Sequence, residues 1–280
     1  MTTGALFLAT VISVTAETNR EDAERLLRRV IEAQERQQEL TRQYAFREST
    51  ETRNLDGEGR TRNEKSETFL VTPGPDGEYR RLVAKNGEPL RAEDEAKEEK
   101  KFQKHLKEQL RLSAEERDSK TKEKLERRVK RFRERLEEAI KVFHFEPLED
   151  ELLQGEPVRV FRFSPEPGYE GHSRSTRILA RMEGRVWIDP RRDQLARLEI
   201  RVRESLKFLG GVFGRVSEGS EATAEAFFDG ENLWLLDRVD VSLDARLYFL
   251  KNYRQEIAID YHDYEKYTVD TEERPGTLAS

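Results

Sequence analysis

The sequence predicts an α+β fold: one strongly curved antiparallel sheet, a helix ahead of it, and a charged helical hairpin inserted between its strands. Three observations carry this. Residues 184–202, GRVWIDPRRDQLARLEIRV, alternate apolar and polar side chains on either side of a polar loop, the pattern of a β-hairpin. Strand-like runs broken by turn residues then continue to the end of the chain, and no β-α-β alternation appears. Residues 91–142 switch to helical spacing and a much more charged composition. Around ten strands are expected, in the range where an open sheet curls.

The elements follow in order. Residues 5–14, ALFLATVISV, form an apolar run that ends in Val14-Thr15-Ala16, a small-residue cleavage pattern, although Arg20 is the first basic residue. The run is too short to span a bilayer. It predicts a signal peptide over 1–16 and a single mature domain over 17–280, hence a periplasmic or secreted protein. A helix should follow at once, capped by Thr18 or Asn19, with Ala23, Leu26, Leu27, Val30 and Ile31 as a stripe for the sheet. After Leu40 the period changes to that of strands, around Tyr44 and Phe46, from Thr61 to Val71, and from Tyr79 to Ala84. Pro73 to Gly77 should interrupt the ladder and Asn86-Gly87 should end the third strand.

The insertion 91–142 carries 18 basic and 14 acidic residues, a net +4 in a chain whose net charge is −6. Phe102, Leu106 and Leu110 recur at four, and Leu125, Val129, Phe132, Leu136 and Ile140 at four and three. Ser113 to Glu116 reads as a capping box between the two helices. The narrow seams should face each other, with the hairpin touching the sheet mainly near its ends, so that its removal would leave the sheet folded. Lys120, Lys124, Arg127, Arg128, Arg131 and Arg135 concentrate positive charge, a surface for an anionic membrane or an acidic partner. The simpler alternative is a solvated face laced with ion pairs.

Beyond the insertion, Val158 and Val160 share one strand face and Phe161 and Phe163 the other. In the organising hairpin Val186 and Ile188 oppose Trp187, while Ala196, Leu198, Ile200 and Val202 should share a face. Asp189 and Asp193 can close the loop between them. Ala222 to Phe228, Leu233 to Leu243, and a final run through Leu247, Phe249, Ile257, Ile259 and Tyr261 complete a meander.

Several functions are disfavoured on composition. With no cysteine there is no disulfide, thiolate metal site or cysteine nucleophile. A pI near 5.6 argues against nucleic acid. No G-x-S-x-G elbow, P-loop or H-E-x-x-H motif occurs, and Glu48 with Glu51 does not form a recognisable acid/base pair. Asp260 and His262 share a strand face without another histidine nearby, and His172 sits in a loop, so neither points to a metal. No catalytic residue, metal or cofactor is predicted.

The hairpin RVWIDP…LARLE, the closing DGENLWLLDRVDVSLDARLYFLKNYRQEIAIDYHDYEKYTVD and Asn86-Gly87-Glu88-Pro89-Leu90 together resemble the periplasmic lipoprotein-carrier superfamily of LolA/LolB-like fold, and within it uncharacterised exported bacterial members. The resemblance implies a half-open antiparallel barrel with helices at its mouth, and a non-enzymatic binding protein for a lipid or lipidated protein. It carries over no catalytic residue. An apolar cavity would be lined by Trp187, Leu206, Phe208, Leu209, Val212, Phe213, Phe228, Trp234 and Phe249, or the same residues would pack under the N-terminal helix. The alternative function is a periplasmic interaction or sensor module that presents the basic hairpin.

Overall fold

The computed structural model describes residues 21–33, 36–74, 77–208, 214–247 and 251–266. The run predicted to be a signal peptide, 1–16, lies outside them. A first helix, α1, occupies 21–33 and 36–41. Four strands follow: β1 (Tyr44–Leu55), β2 (Thr61–Gly74), β3 (Gly77–Lys85) and the short β4 (Glu88–Pro89). The insertion is α2 (Ala92–Leu110) and α3 (Ala114–Val142), within the predicted bounds. Then come β5 (Phe143–Pro147), β6 (Glu151–Leu153), β7 (Glu156–Pro165), the short α4 (Arg174–Leu179), β8 (Met182–Asp189) and β9 (Gln194–Val202). The chain closes with β10 (Leu206–Phe208), β11 (Gly214–Val216), β12 (Glu221–Phe228), β13 (Trp234–Leu247) and β14 (Lys251–Lys266).

The 14 strands form one curved, half-open antiparallel sheet, more strands than the sequence pattern resolves. Its order is β4-β3-β2-β1-β14-β13-β12-β9-β8-β7-β5, with β6 against β7 and the β10-β11 pair against β13. Two edges remain, at β4 and β5, so the sheet is not closed into a barrel. Pro73 does not stop the ladder: Pro73 pairs with Glu78 and Gly74 with Gly77, so β2 runs up to its hairpin. Asn86 and Gly87, at φ 53° and 77°, make the two-residue turn into β4.

Two cores lie on opposite faces of the β7-β8-β9 strands. On the inner face, Leu26, Leu27, Val30 and Ile31 of α1 and Ile140 and Val142 of α3 bury Phe143, Phe145, Phe161, Phe163, Val186 and Ile188. On the outer face, Val158, Val160, Trp187, Ala196 and Trp234 form a second cluster. The alternation of β7 and β8 therefore reads correctly from sequence. That of β9 does not: Trp187 pairs with Arg197 but Ile188 with Leu195, so Ala196 is an extra, bulged residue. The bulge sends Ala196 to the outer cluster, whereas Leu195, Leu198 and Ile200 stay against the inner core.

The helical hairpin departs from expectation for the same reason that the inner core is large. Ser113 caps α3 with its hydroxyl accepting from the Glu116 N–H, and Glu116 returns the bond to Ser113, as the motif predicts. The α3 stripe does not stop at a seam with α2. Its last turns carry Phe132, Leu136, Ala139 and Ile140 into the inner core, with Ile140 only 3% exposed. Phe102 of α2 packs on Tyr79 of β3, with ring centroids 5.1 Å apart, and His105 stacks on the same ring at 4.7 Å. Arg128 of α3 meets Glu78 of β3 at 3.5 Å. Alternation puts Glu78 and Tyr79 on opposite faces, so the two helices engage both sides of that strand.

Candidate ligand face

The inner face can be traced strand by strand, because residues paired across an antiparallel ladder share a face. One row runs Phe161, Val186, Leu198, Ala224, Val239, Ile259 and Thr50. The next runs Phe163, Gly184, Ile200, Ala222, Val241, Ile257 and Thr52. At the β7-β8 end both rows are covered by α1 and α3. From Ala222 and Ala224 onward, the aliphatic side chains of these two rows are only half-buried. The result is an apolar strip, centred on Val239, Val241, Ile257 and Ile259, that retains contact with solvent. The opposite face is a lattice of cross-strand charges, such as Arg185 to Glu199 at 2.8 Å, Arg197 to Glu225 at 3.3 Å and Arg238 to Asp260 at 2.5 Å.

An aromatic wall closes the strip toward the start of β1. Phe46 stacks on Tyr264 with centroids 5.0 Å apart and lies 6.0 Å from Tyr261, and Phe227 meets Tyr264 edge-on at 5.4 Å. Tyr261 and Tyr264 are three residues apart yet share this cluster because Asp263, at φ 56°, adds a residue to β14. The Tyr264 hydroxyl donates to the Leu236 carbonyl at 2.6 Å, and burial pushes its pKa up. Beside this wall, Glu48 accepts from Arg80, whose guanidinium lies 3.6 Å over the Phe69 ring. That ion pair is the polar boundary of the strip on the β1-β2-β3 side.

The residues predicted to line a cavity fall into three groups. Trp187, Trp234 and Phe228 do come together, but in the outer cluster, where Trp187 and Trp234 are 2% and 3% exposed and leave no open space. Leu206 is buried in β10, and Phe208 lies in the same short strand. Leu209, Val212, Phe213 and Phe249 lie outside the described residues. The strip residues were legible as strand positions only. A signal for them exists in the sequence: Ala222, Ala224, Thr50 and Thr52 are small side chains on a face otherwise built of large ones, which leaves room above the sheet.

The outer tryptophans serve the hairpin instead. Trp187 donates to Glu151 at 3.0 Å and Trp234 to Asp189 at 3.1 Å. Asp189 is fully buried and also accepts from Arg192 at 2.6 Å and from the Arg191 N–H at 2.9 Å. Burial pushes its carboxyl up, but those hydrogen bonds outweigh burial and hold it below the usual carboxylate range. Asp193, at the end of the same loop, accepts from Arg29 of α1 at 2.8 Å, so the hairpin also fixes the helix.

The remaining polar candidates are dispersed. Glu48 faces the strip, whereas Glu51 pairs with Arg53, on the other face. His262 lies 3.2 Å from the Ser49 hydroxyl, and Asp260 is taken by Arg238. His172 stands edge-on to Tyr169 at 5.9 Å. Among the described residues, no group of three or more His, Asp or Glu side chains is placed to hold a metal ion, and no helix is long and apolar enough to cross a membrane.

Of the predicted basic residues, Lys124, Arg127, Arg128 and Arg131 line one groove on α3 together with Arg42, Lys130, Glu78 and Glu134. Arg135 lies further along α3, outside that lining, and the Lys120 side chain is outside the described set.

Fold and face together define a half-open α+β sheet whose apolar inner face is covered by helices at one end and half-buried along the rest. No protein-family model and no curated protein matches this chain. Solved structures similar to it include a domain ascribed to outer membrane lipoprotein sorting from Vibrio parahaemolyticus, 13% identical over 92% of this chain and 95% of that one, with a TM-score of 0.26. A DUF1329 family protein from Desulfovibrio piger is 9% identical over 89% and 93%, with a TM-score of 0.29. MucB in complex with MucA(peri) is 10% identical over 86% and 94%, with a TM-score of 0.26.

Proposed function

We propose that this chain is an exported, non-enzymatic binding protein that holds a lipid, or the acyl chain of a lipidated protein, on the inner face of its sheet. The supporting observation is the strip of Val239, Val241, Ile257 and Ile259, aliphatic on the two adjacent strands β13 and β14 and half-buried beyond the part of the sheet that the helices cover. Each methylene buried there contributes about 0.8 kcal/mol, so a medium acyl chain gains enough to bind without a specific polar contact. The run of basic residues on α3 from Lys120 to Arg135 favours a second reading, an interaction or sensor module that presents this helix to an acidic partner.

Organic extracts of natively purified protein, read by mass spectrometry, test the first reading. Lipid should be recovered from the wild-type chain and lost from the Val241→Asp and Ile259→Asp variants. A clean extract, together with no affinity for any alkyl-chain amphiphile, would overturn it.

A further inference from the structure

We propose that the ligand on the strip is an amphiphile whose phosphate-class headgroup seats in a basic groove between α3, the end of α1 and β3; this rests on the lipid-holding reading above. The groove encloses about 560 Å³ and is lined by six cations, Arg42, Lys124, Arg127, Arg128, Lys130 and Arg131, against two carboxylates, Glu78 and Glu134. Such an excess stands out in a chain of net charge −6.

At 3.6 residues per turn, Leu125, Val129, Phe132, Leu136 and Ile140 make the apolar face and Lys124, Arg127, Arg128 and Arg131 a basic one beside it, while Glu126 and Glu137 fall on the third side together with Lys130 and Arg133. Some of the cations are already paired, Arg128 with Glu78 at 3.5 Å and Arg127 with Glu123 at 2.5 Å. Arg131 is held by its own helix, donating to the Arg127 carbonyl at 3.2 Å. Among the described residues, no carboxylate is paired with Arg42 or Arg131. These two guanidiniums, one from each wall, are placed to share an anion.

The groove and the strip lie on the same face of the sheet, on either side of the polar boundary described above. Glu78, in its wall, and Arg80 share the inner face of β3; Arg80 bonds Glu48 on β1, and Glu48 pairs with Tyr261, two residues from Ile259. From β3 to β14 is three strand spacings, roughly 14 Å, a span that an acyl chain bridges. A groove with walls from three elements suits a single headgroup better than the flat surface of a bilayer.

Calorimetric titration of the full chain with monomeric dodecyl phosphate and with dodecyl maltoside tests this, in the wild type and in an Arg127→Ala, Arg131→Ala double variant and an Arg42→Ala variant, whose folding circular dichroism verifies. The wild type should prefer the phosphate by about tenfold or more. The preference should shrink with salt and collapse in both variants, while affinity for the maltoside stays. Equal affinity for the two probes in the wild type, or a preference that survives the variants, overturns the headgroup site and leaves the lipid reading standing. Failure of both probes to bind overturns the two together. Binding to vesicles containing phosphatidylglycerol without any preference for monomeric dodecyl phosphate would assign the groove to a membrane surface and overturn the proposal.

Discussion

At the scale of the residue, the polar groups under the β8-β9 hairpin control acid stability. Asp189 has its pKa lowered in the folded chain, and so does Asp229, where burial is outweighed by the N–H groups of Leu233, Glu231 and Asn232 and by the Tyr44 hydroxyl. A depressed carboxylate stabilises the fold above its unfolded value of about 3.9 and loses that contribution as pH falls through the folded value. Urea midpoints should therefore decline below about pH 4, and Asp189→Asn should flatten that decline while lowering stability at neutral pH. Trp187→Ala should cost about 3–5 kcal/mol in the same measurement, since the ring fills the outer core. Gly184→Ala is expected to be worse than its size suggests. A Cβ there would stand 1.9 Å from the Glu199 carbonyl oxygen and 2.6 Å from Phe163 Cζ, and the first of these belongs to a paired backbone that cannot retreat. An overpacking penalty of about 1–3 kcal/mol is its lower range; a thermal midpoint equal to that of the wild type would show that the strands separate freely.

At the scale of the element, α3 is where reading the sequence and observing the fold part company. The stripe from Leu125 to Ile140 was visible, as was the cap at Ser113, but periodicity does not say which surface an apolar face meets. A helix, α2, lay next to it in sequence, whereas its actual partners include Phe163 and α1, which are brought to it by the topology of the half-open sheet. The consequence reverses the sequence-based expectation. Replacing residues 91–142 with a Gly/Ser linker removes Ile140 and Val142, 3% and 0% exposed, and opens the inner core to water. Cooperative unfolding and the β-type circular dichroism should be lost. Retention of both would mean that α1 and the sheet bury the core without α3. The bulge at Ala196 has the same lesson on a smaller scale: a strict two-residue period cannot register one extra residue, and a buried Ala is chemically silent about which core it belongs to.

At the scale of the whole molecule, the outer face and the inner face are stabilised by different physics. Exposed ion pairs such as Arg238 with Asp260 contribute at most about 1 kcal/mol each, so Arg238→Ala should leave the urea midpoint nearly unchanged. The β8-β9 hairpin and the Asn86-Gly87 turn were legible because alternation and turn residues encode them locally. The ligand face was not, since it is defined by what fails to cover Val239, Val241, Ile257 and Ile259, and an absence of packing has no residue of its own. The two cores on opposite faces of β8 also divide the sheet in time. Amides of β7, β8 and β9, sealed from above by α1 and α3 and from below by Trp187 and Trp234, should open to exchange with solvent deuterium only when the entire chain unfolds, whereas those of β12, β13 and β14 should exchange through smaller, faster fluctuations. The frontier between slow and fast amides then falls between β9 and β12, and an occupant of the inner face would move it outward, strand by strand.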